Sequence, residues 1–341
     1  MQIRKLQHIR GGSFTLSLPK EWVGKRKLKR GEEIAVFEEE DGSLRLYSIK
    51  MEHQEPAKVV LSLEDFPEVR ALEYCIGTYY TQGSNKISIT SKKMIPADVK
   101  KRLKLLRMDL PGVEVAEEMA DALSFHAVID PAAFLLESLI EKTSSFSLHL
   151  QKDAVKSIVN NDFQLANEVI ERSKEALRHY RMTIRQVALA SFSRAISRKV
   201  GVKNCRECVT FALIARDLNR LVYHSASIAM QFLTLKGKAK MSREMLRAIE
   251  NISSIVHDMQ RDAVQAFLKK DVMLAIATMG KMSVIRQKEE KLLTTILKKV
   301  RDTDLAVALS HVARDIRRIA GYSVAIADDA MNRTLAPTPN F

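Results

Sequence analysis

Apolar and polar residues alternate with two different periods along this chain. Between residues 13 and 18 every second residue is apolar, and two further alternating runs, 33–37 and 43–47, flank an Asp41-Gly42 turn. A period of two predicts strands, and an Asp-Gly turn between two such runs is typical of a β-hairpin. After Pro131, apolar residues recur at helical spacing in long segments, and proline is absent until the last few residues. The pattern predicts a β-rich head followed by a long helical tail.

Residues 1–50 form the predicted β-rich head. Pro19 opens a short helical turn, and Gly31 then interrupts the chain, because proline is tolerated at the first position of a helix and glycine breaks regular structure. A segment this short, with few large apolar side chains, buries little core by itself. We therefore expect the head to form an intertwined homodimer.

Residues 57–130 alternate between the strand period and the helix period, which predicts a small α/β module. For its function the sequence suggests only a spacer or a dimer contact. The predicted strands are 58–61, 86–90, 113–115 and 127–129, and the predicted helices are 66–80 and 97–107.

The helical tail contains an internal repeat. Residues 151–155 recur as 260–264 at an offset of 109, and residues 215–220 recur as 313–318 at an offset of 98. Matched segments in the same order indicate two copies of one helical unit. The predicted fold class is therefore multidomain, with a β-rich head, a small α/β module and an all-α tail. The tail is expected to form two three-helix bundles, 131–236 and 237–335, with helices at 132–160, 162–196, 204–236, 242–269, 271–300 and 303–333.

Composition excludes several classes of protein. The chain has 341 residues, of which 46% are hydrophobic and 28% charged, a balance typical of a globular protein rather than a disordered one. No run approaches the roughly 18 apolar residues of a membrane span, and the N-terminus lacks the apolar stretch of a secretion signal. Three cysteines do not make a disulfide framework. We expect a cytoplasmic protein that does not insert into membranes.

Positive charge is concentrated near the N-terminus. The net charge is +14, and residues 1–30 carry nine Lys or Arg and one acidic residue, whereas residues 51–130 have a net charge of −3. A focused cationic patch is typical of nucleic-acid contacts, and an ordinary solvated surface is the alternative.

Two parts of the chain resemble known families. Residues 11–22 (GGSFTLSLPKEW) and 28–34 (LKRGEEI) resemble the SpoVT/AbrB-type swapped-hairpin domain. The duplicated three-helix unit, with the sequence RDLNR at 216–220 and RDIRR at 314–318, resembles PhoU, the regulator of phosphate uptake. An AbrB-like head followed by PhoU-like repeats is similar to the archaeal PhoU-like regulators. The resemblance implies a dimeric head, two helical bundles and a role in phosphate uptake.

The AbrB resemblance implies DNA binding through basic residues on a two-fold surface. Phosphate oxygens are the expected contacts, and arginine is preferred for any base edge because its guanidinium can engage guanine with two hydrogen bonds. The candidate DNA-binding residues are Arg4, Lys5, Arg10, Lys20, Lys25, Arg26 and Lys27.

The PhoU resemblance also implies an acidic-x-x-x-Asp pattern on the last helix of each bundle, which would hold a cluster of iron or zinc. In this chain the corresponding positions are Asn219 and Tyr223 in the first repeat, and Arg317 and Gly321 in the second. Neither pair supplies two carboxylates. We therefore predict no multinuclear metal cluster and no cofactor.

The aspartates of the repeated signature have a simpler interpretation. Asp217 with Arg220, and Asp315 with Arg318, are spaced three residues apart. Such residues are neighbours on a helix, so we expect two ion pairs on the helix surface.

The remaining candidate residues predict no chemistry. Cys205 and Cys208 are expected to be an ordinary helical pair, since a zinc site needs four ligands, usually from two such pairs. His224 is expected to be a packed or capping residue. The sequence contains neither a catalytic constellation nor a glycine-rich phosphate loop. We predict that the protein is not an enzyme.

The leading hypothesis is a phosphate uptake regulator that binds DNA through its dimeric head and acts on transcription. The alternative is a PhoU-type interaction protein that controls a phosphate transporter ATPase or a sensor protein through its helical surface, without binding DNA. In that alternative the head serves for dimerisation.

Overall fold

A computed structural model describes residues 3–9, 11–38, 42–48, 58–130, 132–235 and 241–335. The chain divides into two compact units. The head unit comprises Met1–Glu55 with Pro337–Phe341, and the main unit comprises Pro56–Ala336. The finer division into four domains stays a prediction.

The described part of the head unit contains four short strands and one helix. They are β1 (Gln7–Ile9), β2 (Ser13–Thr15), α1 (Lys20–Lys25), β3 (Ile34–Glu38) and β4 (Leu44–Ser48).

The predicted hairpin and helical turn of the head are confirmed. β3 pairs antiparallel with β4, from Ile34 opposite Ser48 to Glu38 opposite Leu44, and the Asp41 of the predicted turn lies outside the described residues. The first predicted strand is shorter than expected, because β2 pairs with β1 only as far as Thr15.

The main unit begins with an α/β layer. Its four-stranded sheet has the order β5-β6-β8-β7, in which β5 and β6 are parallel and the other pairs antiparallel. Its elements are β5 (Lys58–Ser62), α2 (Val69–Thr81), β6 (Lys86–Thr90), α3 (Ala97–Leu105), β7 (Val113–Glu118) and β8 (Ala122–Ala127).

One strand of this layer lies earlier in the chain than the sequence predicts. The strand expected at 127–129 lies at Ala122–Ala127. Leu123 and Phe125 of this strand face the core, whereas the amide of Val128 already bonds to the carbonyl of Gly112 outside the ladder. The apolar residues at 127–129, which predict a strand, therefore mostly follow the end of β8.

The helical tail follows. The first repeat contains α4 (Leu136–Val159), α5 (Phe163–Ser173), α6 (Glu175–Phe192), α7 (Arg194–Lys199) and α8 (Cys205–Leu233). The second contains α9 (Arg243–Lys269), α10 (Val272–Gly280), α11 (Met282–Lys299) and α12 (Thr303–Thr334).

The second helix predicted for each repeat is broken in the structure. The amides of Lys174 and Lys281 bond to the carbonyls three residues earlier, Glu171 and Thr278, at 3.3 and 3.2 Å. A bond of this type tightens the turn and ends the regular helical ladder. A further break follows at Ser193, whose side chain caps α7.

The two repeats are built alike, as the sequence offset of 109 predicts. Asp162 and Asp271 cap α5 and α10 by accepting hydrogen bonds from Leu165 and Leu274. Each repeat also contains an equivalent ion pair between its first helix and the end of its second. The pairs are Asp153–Arg172 at 2.7 Å and Asp262–Lys281 at 2.9 Å. The predicted repeat is thereby confirmed at the level of single contacts.

A buried arginine on α6, Arg185, joins the first repeat to the α/β layer through hydrogen bonds. Arg185 donates to the carbonyls of Tyr80 and Ser84 at 2.5 and 2.9 Å, and to the side-chain oxygen of Asn85. Its guanidinium lies 4.7 Å from the centre of the Tyr80 ring. Arg185 is only 2% exposed, and this burial lowers the pKa of its guanidinium.

Among the described helices, none combines the length and the apolar character that crossing a membrane requires.

Candidate functional site

The last helices of the two repeats, α8 and α12, pack against each other through a row of polar residues. We call this row the seam; it consists of Asp217, His224, Asp315, Tyr322 and Asp329. Buried polar groups are costly unless they are paired, so a polar helix interface needs a specific arrangement of partners.

One half of the seam centres on a histidine. His224 Nδ1 lies 2.8 Å from Asp315 Oδ1, and both residues are buried. The imidazole stacks on the ring of Tyr322, with 5.7 Å between centroids and an interplanar angle of 27°. Residues 224 and 322 are 98 apart, so this contact joins equivalent positions of the two repeats. His224 is thus packed, as the sequence predicts, and it also bonds to a carboxylate.

The other half of the seam holds two carboxyl groups. Arg216 Nε donates to Asp217 Oδ1 at 2.8 Å, while Asp217 Oδ2 has no hydrogen-bond partner among the described residues. Burial raises the pKa of Asp329 to about 7; the charges of Asp217 and Asp328 add to the rise, and that of Arg216 opposes it. Asp329 therefore keeps its proton to a higher pH than an exposed aspartate does.

The two surface ion pairs predicted for the repeated signature are wrong. Asp217 has no exposed surface and Asp315 only 8%. Both carboxylates turn into the seam, where Asp217 bonds to Arg216 and Asp315 to His224. The predicted partners, Arg220 and Arg318, are exposed and form no ion pair within the described ranges.

The duplicated helical unit around this seam matches a known family. A model of the PhoU domain matches residues 140–232 and 249–330, just over half of the chain. The chain belongs to the PhoU family. The predicted PhoU-like nature of the repeats is confirmed, whereas the AbrB-like identity of the head and the archaeal association stay predictions.

Individual relatives agree with this assignment. The phosphate-specific transport system accessory protein PhoU homolog 1 of Thermotoga maritima is 24% identical over 210 residues, which cover 60% of this chain and 88% of the relative. The phosphate transport system regulatory protein PhoU of Streptococcus pneumoniae superposes with a TM-score of 0.50 at 18% identity, over 60% of this chain and 96% of that one. PhoU of Pseudomonas aeruginosa superposes with a TM-score of 0.50 at 19% sequence identity, over 57% of this chain and 93% of that one. These structures share the fold of the repeats.

The positions at which the PhoU resemblance implies metal ligands carry other contacts. Tyr223 is exposed and Asn219 is half-buried. Arg317 pairs with Glu289 of α11 at 2.7 Å. Across the described residues no three His, Cys, Asp or Glu side chains are grouped to hold a metal ion. The absence of a metal cluster stays a prediction.

A buried arginine near the end of α12, Arg333, is not predicted by the sequence. Arg333 lies between the rings of Phe211 and Phe267, 4.7 Å from each centre. It donates to Glu137 Oε1 at 2.6 Å and to Glu207 Oε1 at 3.4 Å. The only sequence signal for this site is that Arg333 falls on the same side of α12 as its buried apolar residues. Periodicity alone does not distinguish such a buried arginine from an exposed one.

The sequence also does not predict a groove of about 400 Å³ between α4 and α9. His149 and Lys152 of α4 line it together with His257 and Arg261 of α9. Burial lowers the pKa of His257, and the charges of Arg261 and Lys152 act in the same direction. These residues come from two repeats, so no local motif announces them.

The candidate DNA-binding residues lie in the head unit. Arg10 lies outside the described residues, and Lys27 has a left-handed backbone with a φ of 51°. The others are exposed: Arg4, Lys5, Lys20, Lys25 and Arg26, as is Lys27. Whether they bind DNA stays a prediction.

The two neighbouring cysteines open α8. Cys205 is exposed and Cys208 is buried. Burial raises the pKa of Cys208 to about 11, with smaller contributions from Cys205 and Glu207.

Proposed function

We propose that this protein regulates phosphate transport by binding a component of a phosphate transport system, either its ATPase or a sensor protein, and that it is not an enzyme. The supporting observation is the PhoU family match in both repeats. The names of the Thermotoga maritima and Streptococcus pneumoniae relatives point to phosphate transport.

Binding rather than catalysis is favoured by the state of the seam. His224 and Asp315 are buried and bonded to each other, and Asp217 is fully buried. A general acid or base must reach the proton that it moves. Groups enclosed in this way suit a rigid scaffold that presents its outer surfaces to a partner.

The head would then join two copies of the chain. Its apolar side chains are exposed, with Phe14 at 63%, Leu16 at 52% and Leu44 at 66%. Large apolar side chains exposed on so small a unit favour an interaction surface, and a second copy of the head is the partner that we propose.

Copurification with the tagged full chain from its native cells tests this function, together with uptake of labelled phosphate in cells that lack the protein. We expect a phosphate transport ATPase or a sensor to copurify and uptake to lose its response to external phosphate. If no transport component copurifies and uptake is unchanged, the proposed function is wrong.

DNA binding by the head is a second candidate, favoured by its exposed basic side chains. Contacts between basic side chains and DNA phosphates make the affinity depend on the number of Lys and Arg residues and lower it as the salt concentration rises. In a gel-shift titration, the full chain carrying Lys20→Glu, Lys25→Glu and Lys27→Glu should bind duplex DNA at least about tenfold more weakly. The matched control carries Lys92→Glu, Lys93→Glu and Lys101→Glu, three exposed lysines of the α/β layer. Equal binding by both variants contradicts this candidate.

A further inference from the structure

We propose that the open side of the α8–α12 pair is a docking surface for an acidic protein segment. We call this surface the arginine face. It comprises Arg216 and Arg220 of α8 and Arg314 and Arg318 of α12, all of them exposed.

Helix geometry places the four arginines on one side of the seam. Residues four apart are neighbours on a helix, so each helix contributes one adjacent pair. The same residues are matched between the repeats at the offset of 98. Next to them along each helix, Asp217, Leu221 and Ile319 are fully buried. The arginine pairs therefore lie where the packed interface gives way to solvent.

Contacts across the seam bring the two pairs together. His224 bonds to Asp315, and Arg216 lies within electrostatic reach of Tyr322 and Asp329. Residue numbers thus rise along α12 as they fall along α8, which makes the helices antiparallel. In this arrangement Arg220 and Arg318 lie near the middle of the contact, with Arg216 and Arg314 to either side.

Most of this positive charge is not neutralised by the chain itself. Arg216 is paired with Asp217, but the parts of the chain that the structure describes supply no ion pair to Arg220, Arg314 or Arg318. Like charges four residues apart on a helix repel each other. A bound anionic surface would relieve that repulsion on both helices at once.

The side chains around the arginines favour a protein as the partner. Tyr223 is 57% exposed, Met230 42%, Val209 59% and Val307 50%. Arginine, tyrosine and methionine together are enriched in protein interfaces, and the arginine fork matches a carboxylate with two parallel hydrogen bonds. A segment with Asp or Glu on one face and apolar residues beside them fits this surface. The inference rests on the proposed function, since the regulated partner would carry that segment.

The test uses the full chain and a fluorescein-labelled helical peptide of repeated Glu-Ala-Leu-Glu units, followed by anisotropy. We expect Arg220→Glu with Arg318→Glu to weaken peptide binding at least about tenfold, because two attractive contacts become repulsive. The matched control is Arg247→Glu with Arg286→Glu, which changes the net charge equally on exposed positions of α9 and α11. The control should change binding less than about twofold, since distant exposed charges are screened.

Several outcomes would overturn this assignment. The first is that the unaltered chain does not bind the peptide, and the second is that both double variants lose peptide binding equally. The third is that Arg220→Glu with Arg318→Glu weakens binding to duplex DNA or to phosphatidylserine vesicles and leaves peptide binding unchanged. Circular dichroism and thermal melting confirm that both variants fold. Copurification separates the two proposals: if the Arg220→Glu and Arg318→Glu variant still captures the transport component, the arginine face is wrong and the function stands.

Discussion

The two repeats share an internal frame and differ in what is attached to it. Both begin their second helix with an aspartate cap, Asp162 or Asp271, and both place a residue with positive φ before it, Asn161 at 54° and Lys270 at 56°. Only the first repeat carries the α/β layer, held by Arg185 of α6. Duplication has kept the contacts that set helix directions, while the outward surfaces have diverged.

The ends of α8 and α12 show the same divergence. Arg333 of α12 corresponds, at the offset of 98, to Leu235, which is buried at the end of the first repeat. An apolar contact in one repeat is thus a buried ionic cluster in the other.

The largest effect is expected where the repeats differ most, at Arg185. Arg185→Ala removes the donor from the carbonyl of Ser84 and the side-chain oxygen of Asn85, while the carbonyl of Tyr80 keeps its bond from the amide of Gly83. Leaving two buried acceptors unpaired is costly. We expect a loss of about 3–4 kcal/mol in unfolding free energy, measured by urea denaturation. Arg286→Ala on the exposed surface of α11 is the control and should stay within about 0.5 kcal/mol. Equal effects would mean that the layer does not depend on this anchor.

Replacing Arg333 by the residue of the other repeat is expected to cost somewhat less. In Arg333→Leu, Lys270 still pairs with Glu207 at 3.0 Å, so that the carboxylate keeps one partner. We expect urea denaturation to show a loss of about 2–3 kcal/mol in unfolding free energy. The loss arises because Glu137, Glu207 and the carbonyl of Phe267 no longer receive the hydrogen bonds that Arg333 donates. A variant as stable as the unaltered chain would show that the two helix ends are interchangeable.

The seam predicts an effect that depends on pH. Because the pKa of Asp329 is raised to about 7, the folded state holds a proton between roughly pH 4 and that value which the unfolded state has released. The free energy of unfolding therefore falls as the pH rises through this window.

Asp329→Gln tests this and copies Gln231, the matching residue of the first repeat. We expect the substitution to stabilise the protein by roughly 1–2 kcal/mol more at pH 8 than at pH 5, where folded Asp329 still holds its proton, as measured by thermal or urea unfolding. The same change in stability at both pH values would contradict a protonated Asp329.

The smallest effect is expected where the repeats agree. The pairs Asp153–Arg172 and Asp262–Lys281 are both partly exposed, so each should contribute about 0.5–1 kcal/mol in a double-mutant cycle. A difference above about 1 kcal/mol would show that matched geometry does not give matched energy.

The sequence predicts the frame better than the surfaces. Repetition located both bundles because helix caps and buried glutamines, Gln151 and Gln260, recur at a fixed spacing. The sequence does not predict the seam, because the spacing of Asp217 and Arg220 also fits two neighbours on an exposed helix surface. The direction of the partner helix decides that Asp217 is buried. Arg185 and Arg333 act through contacts between distant segments, which no local pattern encodes.

The first turn of α8 contains an exposed cysteine, Cys205, that is suited to selective labelling. The thiol of Cys208 is buried and stays protonated at neutral pH, whereas that of Cys205, one helical turn away, is exposed. Thiolate is the reactive form, so a maleimide dye should attach at Cys205 rather than at Cys208. Once half-buried Cys75 is replaced by serine, a single fluorophore would follow the first turn of α8 without further engineering.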